Sequence, residues 1–322
     1  MKWEYLNDEC LPICMMPSAF DTKKFDNLES YLRLNRSSFR MKVASSGAVL
    51  LRGFDINSPD DFAKIVLAIA SKPLRYSGGD ARRSSINDYV YTANDARESL
   101  KISPHNEMGY SRDFPELVFF YCKIAPITGG ETPLTDGRKV LQTLSTDLIS
   151  TLSERKIRYI QNLPFKKDFG VQWAKNWCDT FETSDQNTIN KILNGRNAKW
   201  HWKADNSLHL EEIVPAILVD KYLNQQTFFC QADRWHASQI VNDDRHQILK
   251  IPENDRYHHC RFSDGTNILE SHLHEMGKAK KELAARFQWK EGDILCVDNL
   301  LTLHGREPFN GDRQVFVAMG NY

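Results

Sequence analysis

The sequence predicts an α+β domain in which strands build a β-sandwich or barrel and helices flank it. Three observations predict this. Short runs of apolar, β-branched and aromatic residues recur at 48–51, 117–124, 214–219, 227–230, 294–297 and 315–319, each of strand length and bounded by turn residues. Helical periodicity is concentrated in the beginning and middle of the chain, so helices and strands segregate. With 322 residues the chain is ample for a buried core, and one domain over 1–322, interrupted by an insertion at about 161–208, fits best.

Taken in order, residues 21–34 read as a helix, with Asp21 at its N-cap and Phe25, Leu28 and Leu32 on one stripe. The run 48–51 is a buried strand ended by Arg52-Gly53. A helix follows in which Ser58 caps, Pro59 takes the first position, Asp60 and Asp61 complement the dipole, and Phe62, Ile65, Val66 and Ile69 form the apolar stripe. Pro73 marks its end. Residues 75–104 are polar, with Gly78-Gly79 and Arg82-Arg83, and read as loops and short strands. After the strand at 117–124, Gly129-Gly130 and Pro133 make a turn, and Asp136 caps a helix reaching about Arg155. Residues 161–208 mix Trp173, Trp177, Trp200 and Trp202 with many Asn, Asp and Lys, without a clean period of two, and are expected to form an inserted lid. Residues 278–289 read as helical.

Composition removes several function classes. The 42 basic residues balance 42 acidic ones, which gives no electrostatic footprint for nucleic acid. The basic-aromatic run Lys199-Trp200-His201-Trp202-Lys203 imitates a stacking platform, but a single such cluster on a neutral chain is read as structural. Seven cysteines without a C-x-x-C pair argue against a disulfide framework and for a reducing, cytoplasmic setting. The first residues carry acidic groups where a signal peptide needs an apolar core, and no apolar run of about 18 residues exists, so no membrane role is expected.

Chemistry concentrates in His105-Asn106-Glu107 and in His304 of Leu303-His304-Gly305-Arg306. On an extended segment residues two apart point the same way, so His105 and Glu107 face inward while Asn106 faces out. Two imidazoles and one carboxylate on one face of a metal leave three positions open, the arrangement of non-haem Fe(II) oxygenases. Other histidines are decoys. His258 and His259 are adjacent and point apart on a strand, and His272 and His274, two apart before a helix, do not share a helical face. His236 is read as packing.

The runs His105-Asn106-Glu107-Met108-Gly109-Tyr110-Ser111, Pro115 through Cys122, Gly129-Gly130-Glu131-Thr132-Pro133-Leu134-Thr135-Asp136-Gly137-Arg138, and the C-terminal Gly292-Asp293-Ile294-Leu295-Cys296-Val297-Asp298-Asn299, Leu303-His304-Gly305-Arg306 and Gly311-Asp312-Arg313 resemble the taurine dioxygenase (TauD/TfdA-like) family, closest to its SyrP-like and clavaminate-synthase-like members. With Leu51-Arg52-Gly53-Phe54 the resemblance spans nearly the whole chain. It implies a double-stranded β-helix (jelly roll) core, and the cofactors Fe(II), 2-oxoglutarate and O2. Iron would be held by His105, Glu107 and His304. The far carboxylate of 2-oxoglutarate would take Thr132 and an arginine, Arg313 ahead of Arg306 because a fork on the returning strand suits a carboxylate. Glutamate in the first motif resembles clavaminate-synthase-like members, and its carboxylate occupies the place that halogenating relatives leave open for chloride.

These readings converge on an Fe(II)/2-oxoglutarate-dependent dioxygenase. The resemblance suggests hydroxylation of an unactivated C–H bond in an amino acid or a related specialised metabolite, free or as a carrier-bound aminoacyl unit. Desaturation, cyclisation or epoxidation would use the same residues. A zinc hydrolase could use two His and a Glu but leaves Thr132 and Arg313 without a role. A metal-binding domain without catalysis would lack the cosubstrate pocket.

Overall fold

The strand Leu117–Ile124 shows how the chain divides its apolar residues. Leu117, Phe119 and Tyr121 join one apolar cluster, and Val118, Phe120 and Cys122 join another, as the two-residue period of a strand requires. Both faces are buried, which is why the run reads as unbroken apolar sequence. The computed structural model describes residues 1–93, 97–165, 175–239 and 245–322, the side chains of 245–247 excepted. In it this strand lies near the middle of the largest sheet, whose order is Lys2–Tyr5, Ile13–Met16, Ala48–Leu51, Ile294–Asp298, Leu117–Ile124, Gln314–Asn321 and Lys72–Leu74. Ile13–Met16 and Ala48–Leu51 run parallel, and the other pairs along this path are antiparallel.

One face of the sheet carries the helices Phe25–Leu34, Arg36–Ser46 and Pro59–Ile69, which bury Leu28, Leu32, Phe39, Val43, Phe62, Ile65 and Ile69 against it. The other face shares its apolar cluster with two smaller sheets. These are Ile102–His105, Thr302–Arg306 and Leu134–Asp136, and the four strands Lys199–Trp202, Leu208–Val214, Ile157–Leu163 and His258–Phe262. The chain is thus a mixed α and β fold. No helix among the described residues is long and apolar enough to cross a membrane.

The helix Pro59–Ile69 starts as its sequence predicts. Ser58 Oγ accepts from Asp61 N, and the Asp61 carboxylate accepts from Ser58 N. Other boundaries differ. Asp21 does not cap the first long helix but heads a separate 3-10 turn, Asp21–Lys23, and Lys24 takes the cap position. Pro73 lies inside the edge strand Lys72–Leu74, where a missing N–H is tolerated, and the preceding helix has already ended at Ile69. The helix begun at Asp136 stops at Thr143, and a second, Thr146–Glu154, restarts on the Ser145 cap. Helix Glu270–Glu282 contains His272 and His274, and 283–289 are not helical because Ala285 exchanges both backbone hydrogen bonds with Leu134.

Within 161–208, Trp173 and its neighbours from 166 to 174 lie outside the described residues. The rest includes the helices Trp177–Phe181 and Gln186–Gly195 and the strand Lys199–Trp202, gathered on a cluster of Leu163, Trp177, Phe181, Ile189, Leu193 and Leu208. Trp200 and Trp202 both donate to Asn190 Oδ1, at 3.0 Å each, which gives the basic-aromatic run a structural task. The seven cysteines are all free thiols.

Candidate metal centre

Two neighbouring strands deliver the histidines. Ile102–His105 and Thr302–Arg306 are antiparallel partners with His105 opposite His304, so the two rings stand 4.7 Å apart between centroids. The strand of His304 continues to Arg306, past Gly305, through a register shift between His304 and Arg306. Gly305 is needed because a Cβ there would lie 2.4 Å from the Ile102 carbonyl oxygen.

Glu107 arrives differently from the sequence expectation. The strand ends at His105, and Met108 adopts a left-handed φ of 53° in the turn that follows. Asn106 is fully buried rather than facing out. Its side-chain amide donates to the Asn299 carbonyl at 2.6 Å, and its own carbonyl accepts from the Gln231 side chain. Asn299 also grips the next residue. Its Oδ1 accepts from Glu107 N at 2.7 Å, and its Nδ2 donates to the Glu107 carbonyl at 2.9 Å and to the Pro115 carbonyl at 2.8 Å. Beyond the turn, Glu212 accepts from Ser111 Oγ at 3.0 Å and Arg112 N at 2.9 Å. The turn is therefore fastened on both sides.

The result is one cluster in which ligand atoms of His105, Glu107 and His304 all lie within 4.8 Å of one another. Its donors fit a divalent iron. The His105 Nδ1 lies 3.0 Å from the Ser103 carbonyl, a contact that keeps the proton on Nδ1 and leaves Nε2 as the free donor. Burial, with Arg234 and His304 nearby, pushes the His105 pKa well below its ordinary value, so the ring is neutral. Burial alone would raise the Glu107 carboxyl. The Arg83 guanidinium, with the His304 ring close by, outweighs it and holds the group well below the usual carboxylate range. His304 Nε2 stands 3.6 Å from Glu107 Oε2, and the buried Nδ1 of His304 has no protein partner. A neutral His105 imidazole beside an ionised carboxylate is what ligation demands.

The loop that carries Thr132 runs beside this cluster, and Arg313 contacts it at Gly130. Leu134 pairs with His304, Gly305 N donates to the Pro133 carbonyl at 3.1 Å, and Glu307 N donates to the Glu131 carbonyl at 3.0 Å, so residues 131–134 run alongside the His304 strand. Thr132 is buried and its Oγ1 accepts from Trp289 Nε1 at 3.2 Å. Arg313 Nε donates to the Gly130 carbonyl at 3.1 Å. Gly130, with φ of 69°, leaves room for that side chain, since a Cβ there would lie 3.0 Å from Arg313 Cδ. No carboxylate among the described residues forms an ion pair with Arg313. Burial, with Arg306 nearby, lowers its pKa to about 10. Arg306 is buried and donates to the carbonyls of Arg97 at 2.5 Å and Leu100 at 2.8 Å, which pins that loop.

The remaining histidines are placed elsewhere, and among the described residues no second group of three metal-ligating side chains converges. His258 stacks on Trp235 at 4.0 Å, with its pKa pushed down to about 3 by burial and by Arg234. His272 contacts Asp147 at 3.0 Å, and His236 bonds Ser238 Oγ at 2.8 Å. Sequence reasoning missed two residues that touch Glu107, namely Asn299 and Arg83, whose Nη2 lies 2.8 Å from Glu107 Oε2. The only signals were the Asp298-Asn299 pair ahead of His304 and the Arg82-Arg83 doublet in a polar loop.

Comparison with known proteins agrees with this geometry. The family model for taurine catabolism dioxygenase TauD, TfdA family, matches residues 16–319. The clavaminate synthase-like protein At3g21360 of Arabidopsis thaliana is 32% identical over 278 residues, 85% of this chain and 81% of that protein. The dapdiamide synthesis protein DdaC of Enterobacter agglomerans is 26% identical, over 86% and 83%. Among solved structures, PvcB of Pseudomonas aeruginosa superposes with a TM-score of 0.56 at 15% identity, covering 96% of this chain and 86% of that one. The chain therefore belongs to the TauD/TfdA family, and it is an Fe(II)-, 2-oxoglutarate- and O2-dependent dioxygenase.

Proposed function

We propose that this enzyme hydroxylates an unactivated C–H bond of an amino acid or amino-acid-derived specialised metabolite, with His105, Glu107 and His304 as the iron ligands. The observation that carries the reading is the convergence of two buried imidazoles and one ionised carboxylate within 4.8 Å. The similarity to a dapdiamide synthesis protein points to specialised metabolism. We read the large sheet and the smaller sheets across the shared apolar cluster as the two layers of a jelly roll.

Bound iron and 2-oxoglutarate supply the oxidising power, with succinate and carbon dioxide as coproducts. The chain supplies binding and orientation. Asn299 fixes the backbone of Glu107, and the Ser103 carbonyl fixes the tautomer of His105. Arg313 and Thr132 hold the far carboxylate of 2-oxoglutarate. A half-buried guanidinium without a carboxylate partner among the described residues gains one on binding, and the buried Thr132 hydroxyl donates beside it. Residues 161–208 cover the substrate. In support, Lys175 Nζ reaches the Gly79 carbonyl at 2.9 Å, linking this segment to the loop that carries Arg83.

The direct test is His304→Ala, which removes one of three ligands. Substrate-dependent succinate formation should vanish, and retention of full iron-dependent turnover would remove the assignment. The cover is tested by amide hydrogen exchange, where substrate should slow exchange across 161–208. Unchanged protection would make the segment structural only.

A further inference from the structure

Two of the motifs that carry the family resemblance, Leu51-Arg52-Gly53-Phe54 and Gly292-Asp293, lie outside the metal cluster and meet each other instead. Arg52 Nε donates to Asp293 Oδ1 at 3.0 Å and its Nη2 to Asp293 Oδ2 at 2.6 Å, a bidentate pair in which the aspartate side chain is buried. The same two residues close on the backbone at either side of Trp289. Arg52 Nη2 also donates to the Gln288 carbonyl at 2.7 Å, and Lys290 N donates to Asp293 Oδ2 at 2.8 Å. Further back along the segment, Ala285 exchanges backbone bonds of 2.8 and 2.9 Å with Leu134, which is the register partner of His304. Trp289 is thus held from both ends, and its indole packs edge to face on Phe287, 4.9 Å between centroids.

The one polar atom of this indole is spent on Thr132. Both side chains are buried, and Trp289 Nε1 donates to Thr132 Oγ1 at 3.2 Å. An indole N–H donates and cannot accept, whereas a hydroxyl has one proton and two lone pairs. The bond therefore takes a lone pair of Oγ1 and leaves the Thr132 proton to be donated elsewhere. Among the described residues that proton has no acceptor. A buried O–H without an acceptor is costly until a ligand supplies one. An ionised carboxylate only accepts, so it suits a hydroxyl whose lone pair is already engaged and whose proton is free.

We propose that Trp289 is a positioning residue for the cosubstrate, whose N–H fixes the Thr132 hydroxyl as a donor towards the far carboxylate of 2-oxoglutarate. The inference rests on the reading above that Thr132 contacts that carboxylate, and it adds the group that sets the direction of the contact. Trp289 itself touches no reacting atom and acts through Thr132. Its own orientation is fixed by the Arg52–Asp293 pair and by the Leu134–Ala285 bridge, so the hydroxyl is aimed before the cosubstrate arrives.

The test measures dissociation constants by anaerobic titration of the Fe(II)-loaded protein, followed by calorimetry and in the iron-to-cosubstrate charge-transfer band. Two ligands are compared, 2-oxoglutarate and 2-oxopentanoate, which has the same chain and ends in a methyl group. Trp289→Phe should weaken 2-oxoglutarate about 3- to 10-fold and leave 2-oxopentanoate within about twofold, because the methyl end takes no hydrogen bond. Replacing Trp289 by 3-benzothienylalanine, which keeps the ring size and has sulfur in place of the N–H, should do the same and decides the matter if Trp289→Phe does not fold. In a Thr132→Val background no hydroxyl is left to orient, and neither change at Trp289 should weaken 2-oxoglutarate further. Thr132→Ser keeps the hydroxyl and should keep the dependence on Trp289. The proposal is overturned if loss of the N–H weakens both ligands alike, which would make Trp289 structural only. It is also overturned if 2-oxoglutarate affinity is unchanged by that loss, or if the effect persists beside Thr132→Val. The underlying reading fails by a different result, a Thr132→Val protein that binds 2-oxoglutarate as the wild type does, which removes Thr132 from the cosubstrate site and this role of Trp289 with it.

Discussion

Glu107 is held at its backbone, the floor, and at its carboxylate, the roof, by groups built on opposite principles. On the floor, Asn299 is fully buried and its amide is used in both directions, gripping Glu107 N, the Glu107 carbonyl and the Pro115 carbonyl. On the roof, Arg83 meets the Glu107 carboxylate through Nη2 and has two further buried nitrogens without partners. A satisfied network fixes one geometry, and a partly satisfied one leaves its buried donors at a cost. The difference teaches where the chain is fixed, at the backbone of Glu107, and where buried donors remain open.

The largest expected effect breaks the floor. Asn299→Ala leaves Glu107 N, the Glu107 carbonyl and the Pro115 carbonyl without their partner, and each buried unsatisfied group costs about 1–3 kcal/mol, partly recovered by relaxation and water. We expect a loss of roughly 3–5 kcal/mol in urea unfolding, together with a fall in Co(II) affinity of about 10- to 100-fold, because the turn no longer presents Glu107. Unchanged metal affinity in a folded variant would show that the floor is not what positions the ligand.

A smaller effect compares the two arginines beside Phe309. Both guanidiniums lie over that ring, Arg306 at 5.3 Å and Arg313 at 5.5 Å, but they are occupied differently. Arg306 donates to two loop carbonyls, whereas Arg313 has its Nε on the Gly130 carbonyl and no carboxylate partner among the described residues. Arg313→Gln should therefore weaken 2-oxoglutarate by about 10- to 100-fold, or roughly 1.5–3 kcal/mol. Arg306→Gln should loosen residues 97–100 and change that affinity little. Anaerobic titration of the charge-transfer band measures both, and the reverse order exchanges their roles.

How much of this was legible depends on whether a feature is local. The strands Leu117–Ile124, Ile294–Asp298 and Gln314–Asn321 announce themselves because burial on both faces makes the sequence continuously apolar. The helix Arg36–Ser46 does not, since serines and arginines dominate it and only Phe39, Val43 and Ala44 are buried. Residues 283–289 have a helical composition, yet the Leu134–Ala285 bridge and the Trp289 bond to Thr132, both long-range, draw them out of the helix. The same division holds in the site. His105, Glu107 and His304 are legible from residue type and motif. The burial of Asn106 and the contact of Arg83 with Glu107 are not, because they depend on Asn299, 193 residues from Asn106, and on a loop 24 residues upstream of Glu107.

The smallest effect lies far from the site and serves as its control. Ser58 begins the helix Pro59–Ile69 with a complete capping box, in which its hydroxyl accepts from Asp61 N at 3.1 Å and the Asp61 carboxylate accepts from Ser58 N at 3.1 Å. The helix packs on the outer face of the large sheet, in the apolar cluster of Leu117, Phe119 and Tyr121, whereas the site shares the cluster of the opposite face. Ser58→Ala removes one of the two cap bonds and should cost about 1 kcal/mol of stability. At this separation, and without a shared partner, that cost should add independently to the effect of any site variant. Co(II) and 2-oxoglutarate affinities should stay at the wild-type level. If Ser58→Ala instead weakens either ligand, the outer helices and the metal centre are coupled through the sheet, and the contrast between floor and roof must be extended to the scaffold that carries them.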